Sequence, residues 1–191
     1  MDTHESPSPE SVEQLAEWVF TELHQTIISH ESGSFGGGVE SVHDMRVAVR
    51  RLRVALSNFA ACVPKKDRKR LRLRLENLAD ALGDVRDLDV MIAAMKASLL
   101  ARSDVEKDVI SALIRRLRAR RRLRLRALIN YLRGEEYAGF KREFMAGQIT
   151  PESLKPRSGP VDIQPDMADM ADMADMAEIP ERIDEEHGQA A

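Results

Sequence analysis

Four cation-capable side chains, His43, Arg46, Arg50 and Arg53, recur at intervals of three and four residues along one stretch of the chain. On a helix turning about 100° per residue they fall within an arc of about 80°. Met45, Val49, Leu52, Leu56 and Phe59 gather on a separate arc. Stacked cations repel one another unless an anion lies against them. Arginine suits that task, because its planar fork stays charged and grips two phosphate oxygens at once. His43 adds a donor whose charge depends on pH. Free backbone N–H groups at the start of the helix would also favour a phosphate. The competing reading is a salt-bridged surface face.

A second stripe repeats the theme. Arg115, Arg118, Arg122, Arg126 and Arg133 share an arc of about 80° at helical spacing. Ile110, Leu113, Ile114, Leu117, Leu128 and Leu132 form the apolar stripe facing away from it. Arg121 and Arg124 interrupt that apolar stripe. A buried guanidinium without a partner is costly, so these two need a carboxylate or a bound anion. Asp87 and Asp89 are the candidate partners; the alternative is that both arginines snorkel to a bundle edge. Lys65, Lys66, Arg68, Lys69, Arg70, Arg72 and Arg74 crowd a third region. Most of these read as solvated, and Lys66 and Lys69 would extend an anion track.

Helices must position these groups. Ser8 or Ser11 can cap a first helix whose Val12, Leu15, Ala16, Val19, Phe20, Leu23 and Ile27 repeat at three and four. It ends near His30, before a glycine-rich loop over 33–38. A second helix is expected over 41–63, stopped by Pro64. A third is expected over 66–82, although the Leu71, Leu73, Leu75 alternation imitates a strand. Gly83 then reads as a C-cap and Asp84 as the N-cap of a fourth helix over 85–100. Ser103 or Asp104 caps a fifth, reaching Arg133, and a short sixth covers 135–145. The expected fold is an all-α antiparallel bundle of four to six helices spanning 8–146. Residues 147–191, with five prolines and Met/Asp/Ala triplets, read as a low-complexity, acidic, disordered tail.

Composition narrows the function classes. The chain has 191 residues and a formal net charge of −3. That small total hides a partition: residues 1–42 carry −8, residues 43–133 carry +14 and residues 134–191 carry −9. Segregated positive charge attracts polyanions whatever the total. A single cysteine, Cys62, excludes a disulfide framework and a cysteine-based metal site. No apolar run approaches a membrane span, and the acidic start lacks the basic region of a signal peptide. No cofactor or metal is expected.

Two motifs carry a family resemblance. The run His43-Asp-Met-Arg-Val-Ala-Val-Arg-Arg-Leu-Arg53, followed by Leu82-Gly-Asp-Val-Arg-Asp-Leu-Asp-Val90, resembles the CHAD family, the conserved histidine α-helical domain. The resemblance covers about residues 8–145. It implies an all-helical, non-enzymatic module that binds inorganic polyphosphate through basic side chains. The matching positions are His43, Arg46, Arg50, Arg51 and Arg53 in the first motif, and Arg86, Asp87 and Asp89 in the second. Members of the family usually carry two similar bundles with a basic groove between them. Only the first half is recognisable here, so either the domain is truncated or two chains pair, as a homodimer bridged by the polyanion.

The polyphosphate-binding set expected is therefore His43, Arg46, Arg50, Arg51, Arg53, Lys66, Lys69, Arg86, Arg115, Arg118, Arg122 and Arg126, with Asp87 and Asp89 orienting. Two other classes compete. A basic helix also serves a nucleic-acid-binding protein, but Phe59 and Tyr131, the aromatics of the basic block, sit on core faces rather than as stacking platforms. A metal-dependent phosphoanhydride hydrolase would want clustered carboxylates, and Asp84, Asp87 and Asp89 are a thin set. The expected location is the cytoplasm; some proteins of the resembling family associate with storage granules.

Overall fold

Ser11 starts the first helix, its Oγ accepting the Gln14 backbone N–H at 3.2 Å. In the computed structural model the described residues are 11–99 and 102–145. The chain divides into two units, 1–159 and 160–191, and every described residue falls in the first. The tail expected over 147–191 lies outside the described residues. Six helices follow in order: α1 Val12–Ser29, α2 Glu31–Phe35, α3 Val39–Asn58, α4 Lys65–Ser98, α5 Asp104–Leu132 and α6 Glu135–Met145. This is the all-α antiparallel bundle that the periodicities predict.

The largest departure is α4, a single helix of 34 residues where two were expected. Gly83 does not cap and Asp84 does not start a helix. Leu71, Leu75, Leu78, Leu82, Val85, Leu88 and Ile92 form one continuous buried stripe through that point. A mid-helix glycine costs only about 1 kcal/mol, which burying the apolar side chains on both sides of it outweighs. The Leu71–Leu75 alternation is helical: Leu71 and Leu75 are buried and Leu73 is exposed.

Two boundaries also move. The stretch expected as loop contains α2, and α3 ends at Asn58 rather than at Val63. Pro64 is not the stop of α3; it is the N-cap residue of α4, where its missing N–H is of no consequence. The connecting turn is closed by the Cys62 N–H donating to the Phe59 carbonyl at 2.9 Å. Arg68 Nη1 donates to the Ala60 carbonyl in the same turn.

α3 lies between α1 and α4, and α5 packs along α4. Phe20 of α1 meets Phe59 edge-on, with ring centroids 5.9 Å apart. The core gathers α1, α3 and the first part of α4, and Leu128, Leu132, Tyr137 and Phe140 close it. Arg70 Nε lies 2.6 Å from Glu143 Oε1, and Arg74 Nη1 donates to the Glu136 carbonyl at 2.9 Å, tying α4 to α6. Lys141 Nζ donates to both oxygens of Glu31, at 3.0 and 3.2 Å, tying α6 to α2. Ser103 starts α5 with a capping box that includes Glu106. Leu113, expected within the apolar stripe of α5, is exposed instead.

Candidate polyanion site

The cations of the basic block divide into those that the fold neutralises and those that it leaves facing outward. Arg121 belongs to the first group. Its Nη2 donates to Asp89 Oδ2 at 3.0 Å, its Nε also donates to that carboxylate, and Nη2 reaches the Gly37 carbonyl at 3.0 Å. Asp89 is buried. Arg124 Nη1 lies 3.2 Å from Asp84 Oδ2. The expectation that an interior-facing arginine needs a carboxylate therefore holds for Arg121, whereas Arg124 is exposed and meets Asp84 at the surface, as the snorkelling alternative has it. The assignment of Asp87 does not hold: Asp87 is exposed and pairs with neither arginine. Residues two apart on a helix lie about 200° apart around the axis, so the turn of α4 that aims Asp89 at Arg121 aims Asp87 at solvent.

The lysine and arginine cluster at the start of α4 is also less solvated than expected. Arg70 pairs with Asp67 as well as with Glu143, Arg72 with Glu76 at 3.0 Å, and Arg74 with Glu143 at 3.4 Å. Arg70 and Arg74 thereby fasten α4 to α6, while Arg72 pairs within α4. Lys66 and Lys69 are exposed, and among the described residues they have no ion-pair partner.

On α3 the two predicted faces separate as expected. Val42, Met45, Val49, Leu52 and Leu56 are buried, while His43, Arg46, Arg50 and Arg53 are half-buried along the flank and Arg51 is exposed. Arg50 and Arg53 are engaged by other groups. His43, Arg46 and Arg51 find no hydrogen-bond or ion-pair partner among the described residues. Arg86 of α4 is half-buried, likewise without one.

On α5, Arg115, Arg118, Arg122 and Arg126 are all exposed, and none meets a carboxylate among the described residues. The same holds for Arg116 and Arg120, which helical periodicity leaves out because they lie off the counted stripe. Their signal was the unbroken density of arginine over 115–126. Eight guanidinium groups lie in that stretch, and among the described residues only Arg121 and Arg124 are paired with carboxylates.

Gly37 joins the two arginine helices. Its φ is +72°, a conformation that costs other residues about 1–2 kcal/mol. A Cβ there would lie 2.5 Å from Leu125 Cδ2. The loop before α3 thus rests on the middle of α5, which seats the His43 end of α3 beside Arg121. Lys66 and Lys69 lie past the opposite end of α3, about 30 Å along its axis. The α3 start and mid-α5 are thus neighbours, and the two lysines lie toward the other end of α3.

The chemistry available is electrostatic binding. Among the described residues no group of three or more His, Cys, Asp or Glu side chains is placed to hold a metal ion. Asp84 and Asp89 are occupied by Arg124 and Arg121. The perturbed titratable groups lie in the core or, for Glu106, at a helix cap: burial, reinforced by Lys141, pushes His24 down to about 4. Burial pushes the Cys62 thiol up, so it is a poor nucleophile. No helix among the described residues is long and apolar enough to cross a membrane.

The family model described as "CHAD domain" matches residues 19–188. The match spans every helix above except the first turns of α1, and runs on through residues whose composition reads as a tail. No functionally curated protein is similar enough to match the chain.

Proposed function

Because the chain belongs to the CHAD-domain family, we propose that it is a non-catalytic module that binds inorganic polyphosphate. The observation that carries the reading is the selective pairing on α5. Carboxylates meet Arg121 and Arg124, yet the exposed Arg115, Arg118, Arg122 and Arg126 have no partner among the described residues. A polymer of singly charged phosphates matches such a row, since each guanidinium offers two parallel donors. His43, Arg46 and Arg51 at the neighbouring end of α3 extend the binding surface. No cofactor is called for, and of the thin carboxylate set Asp84 and Asp89 are engaged in ion pairs, which leaves the exposed Asp87. In the cell, the module would reside in the cytoplasm, on polyphosphate or on storage granules.

A filter-binding competition tests the proposal. Long-chain polyphosphate should displace labelled polyphosphate at phosphate concentrations where duplex DNA does not, and phosphate release should stay at background with and without magnesium. Equal displacement by DNA would instead make this a general polyanion binder, and magnesium-dependent release would make it an enzyme.

A further inference from the structure

The outward face of α5 carries a pattern that anion binding does not explain. Val105, Val109 and Leu123 are 77%, 67% and 63% exposed. Together with Ala112, Arg116 and Ala119 they are spaced 4, 3, 4, 3 and 4 residues apart, the a/d repeat of a coiled coil. The residues on the opposite side of the helix, Ile114 and Arg121, face α4 and the core. The seam is thus an unpartnered heptad stripe about 27 Å long, pointing away from the bundle.

Its charge is polarised along the helix. Asp104, Glu106 and Asp108 flank the first half, and Arg115, Arg116, Arg118, Arg120 and Arg122 fill the second. We propose that α5 pairs antiparallel with α5 of a second copy of this chain. In that register Val105 meets the partner's Leu123, Val109 meets the partner's Ala119, and Ala112 meets the partner's Arg116. The residues beside the seam then match as well: Asp108 faces the partner's Arg122, and Glu106 faces the partner's Arg120. Leu113 meets its own copy at the two-fold axis. Each pairing occurs twice or lies on the axis, as an isologous interface requires.

Asp108 has no ion-pair partner among the described residues, and neither does Arg122, so the pairing breaks no existing salt bridge between them. Arg116 lies opposite an alanine, which leaves room for its stem while the guanidinium reaches solvent. A parallel pair would instead stack the arginine halves on each other, with Arg116 against its own copy. Like charges approach only near the axis, where Arg115 faces its own copy beside the two Arg116 stems. One helix pair is a small interface, so the dimer is reversible. The seam needs no polyanion, and polyphosphate would compete for Arg122 rather than hold the dimer together.

Sedimentation velocity on the full chain, in low salt and without polyphosphate, tests the pairing across a hundredfold range of protein concentration. Wild type should pass from monomer to dimer mass. Asp108→Arg alone and Arg122→Asp alone should each remain monomeric, because each places like charges opposite one another twice. Mixed in equal amounts, the two variants should recover a dimer, since only the mixed pair restores opposite charges on both sides. Helical circular dichroism matching wild type would establish that both variants fold. A wild type that stays monomeric, a mixture that fails to pair, or a mass that doubles only after polyphosphate is added would overturn the proposal. Failure here leaves the polyphosphate competition untouched, because that assay reads bound polyphosphate and not the mass of the protein.

Discussion

Arg121 and Asp89 form a buried ion pair between α5 and α4, and the same guanidinium holds the Gly37 carbonyl. One side chain thus fixes three segments: the long α4, the arginine-rich α5 and the loop that launches α3.

Removing Asp89 should therefore cost far more than removing its neighbour. Asp89→Ala leaves a buried guanidinium uncompensated, and urea unfolding should show a loss of about 3–5 kcal/mol. Asp87→Ala, at an exposed position, should stay within about 0.5 kcal/mol of wild type. Asp89→Ala combined with Arg121→Met should recover part of the loss. Equal effects at 87 and 89 would show that the pair is not structural.

Two glycines should respond with opposite signs. At Gly83 an added Cβ meets nothing within 4 Å, and Gly83→Ala should stabilise the protein by about 0.5–1 kcal/mol by removing a helix-interior glycine. Gly37→Ala should destabilise it by at least about 1–2 kcal/mol, the cost of a left-handed alanine, before the clash with Leu125 is counted. Thermal melts of both variants check this.

That contrast marks what a reader of the sequence can and cannot see. Periodicity reports which faces are apolar, so the helices, the separate cationic face of α3 and the need of Arg121 for a carboxylate were all legible. Gly83-Asp84 carries the local chemistry of a helix end, and only the packing of Leu82 and Val85 against neighbouring helices overrides it. The partners of Arg70 and Arg74 were also hidden. They come from Glu143 and Glu136 on α6, more than 60 residues away, and Arg74 reaches them by crossing Gly139, where a Cβ would lie 2.0 Å from its Nη1. No spacing rule connects residues so distant.

His24 makes stability depend on pH. Burial against Phe140 and the nearby Lys141 lower it from 6.5 to about 4. The unfolded chain therefore takes up a proton that the folded chain refuses. The contribution of neutral His24 is fully present above pH 6.5 and is lost as pH falls toward 4, with a slope of at most about 1.4 kcal/mol per pH unit. His24→Leu should flatten that part of the stability–pH curve. A curve of unchanged steepness would show that His24 titrates normally.

Arginine geometry should matter as well as charge. Changing Arg46, Arg50 and Arg53 together to Lys keeps the charge and removes the fork. Polyphosphate binding should weaken by about tenfold or more, a loss of about 1.4 kcal/mol. The triple alanine variant should bind more weakly still, with the α5 row holding the remainder. In filter-binding titrations its salt slope should be shallower by about 0.7 for each phosphate no longer neutralised. Equal affinity of wild type and the lysine variant would reduce the site to diffuse charge.

The length of α4 has a kinetic consequence. Its 34 residues extend about 51 Å, against about 30 Å for α3, so among the described residues the far portions of α4 and α5 lean mainly on each other. Leu88, Ile92 and Ile114 are buried there but do not belong to the main cluster. Opening that end exposes three buried apolar side chains and leaves the rest of the core intact. Amide protons beyond Leu88 on α4 and before Ile114 on α5 should therefore exchange through a local opening, well ahead of those around Leu52, Leu75 and Leu128, whose exchange waits for global unfolding. The molecule behaves as two cooperative units joined by one uninterrupted helix, with Arg121 and Asp89 marking the border between them.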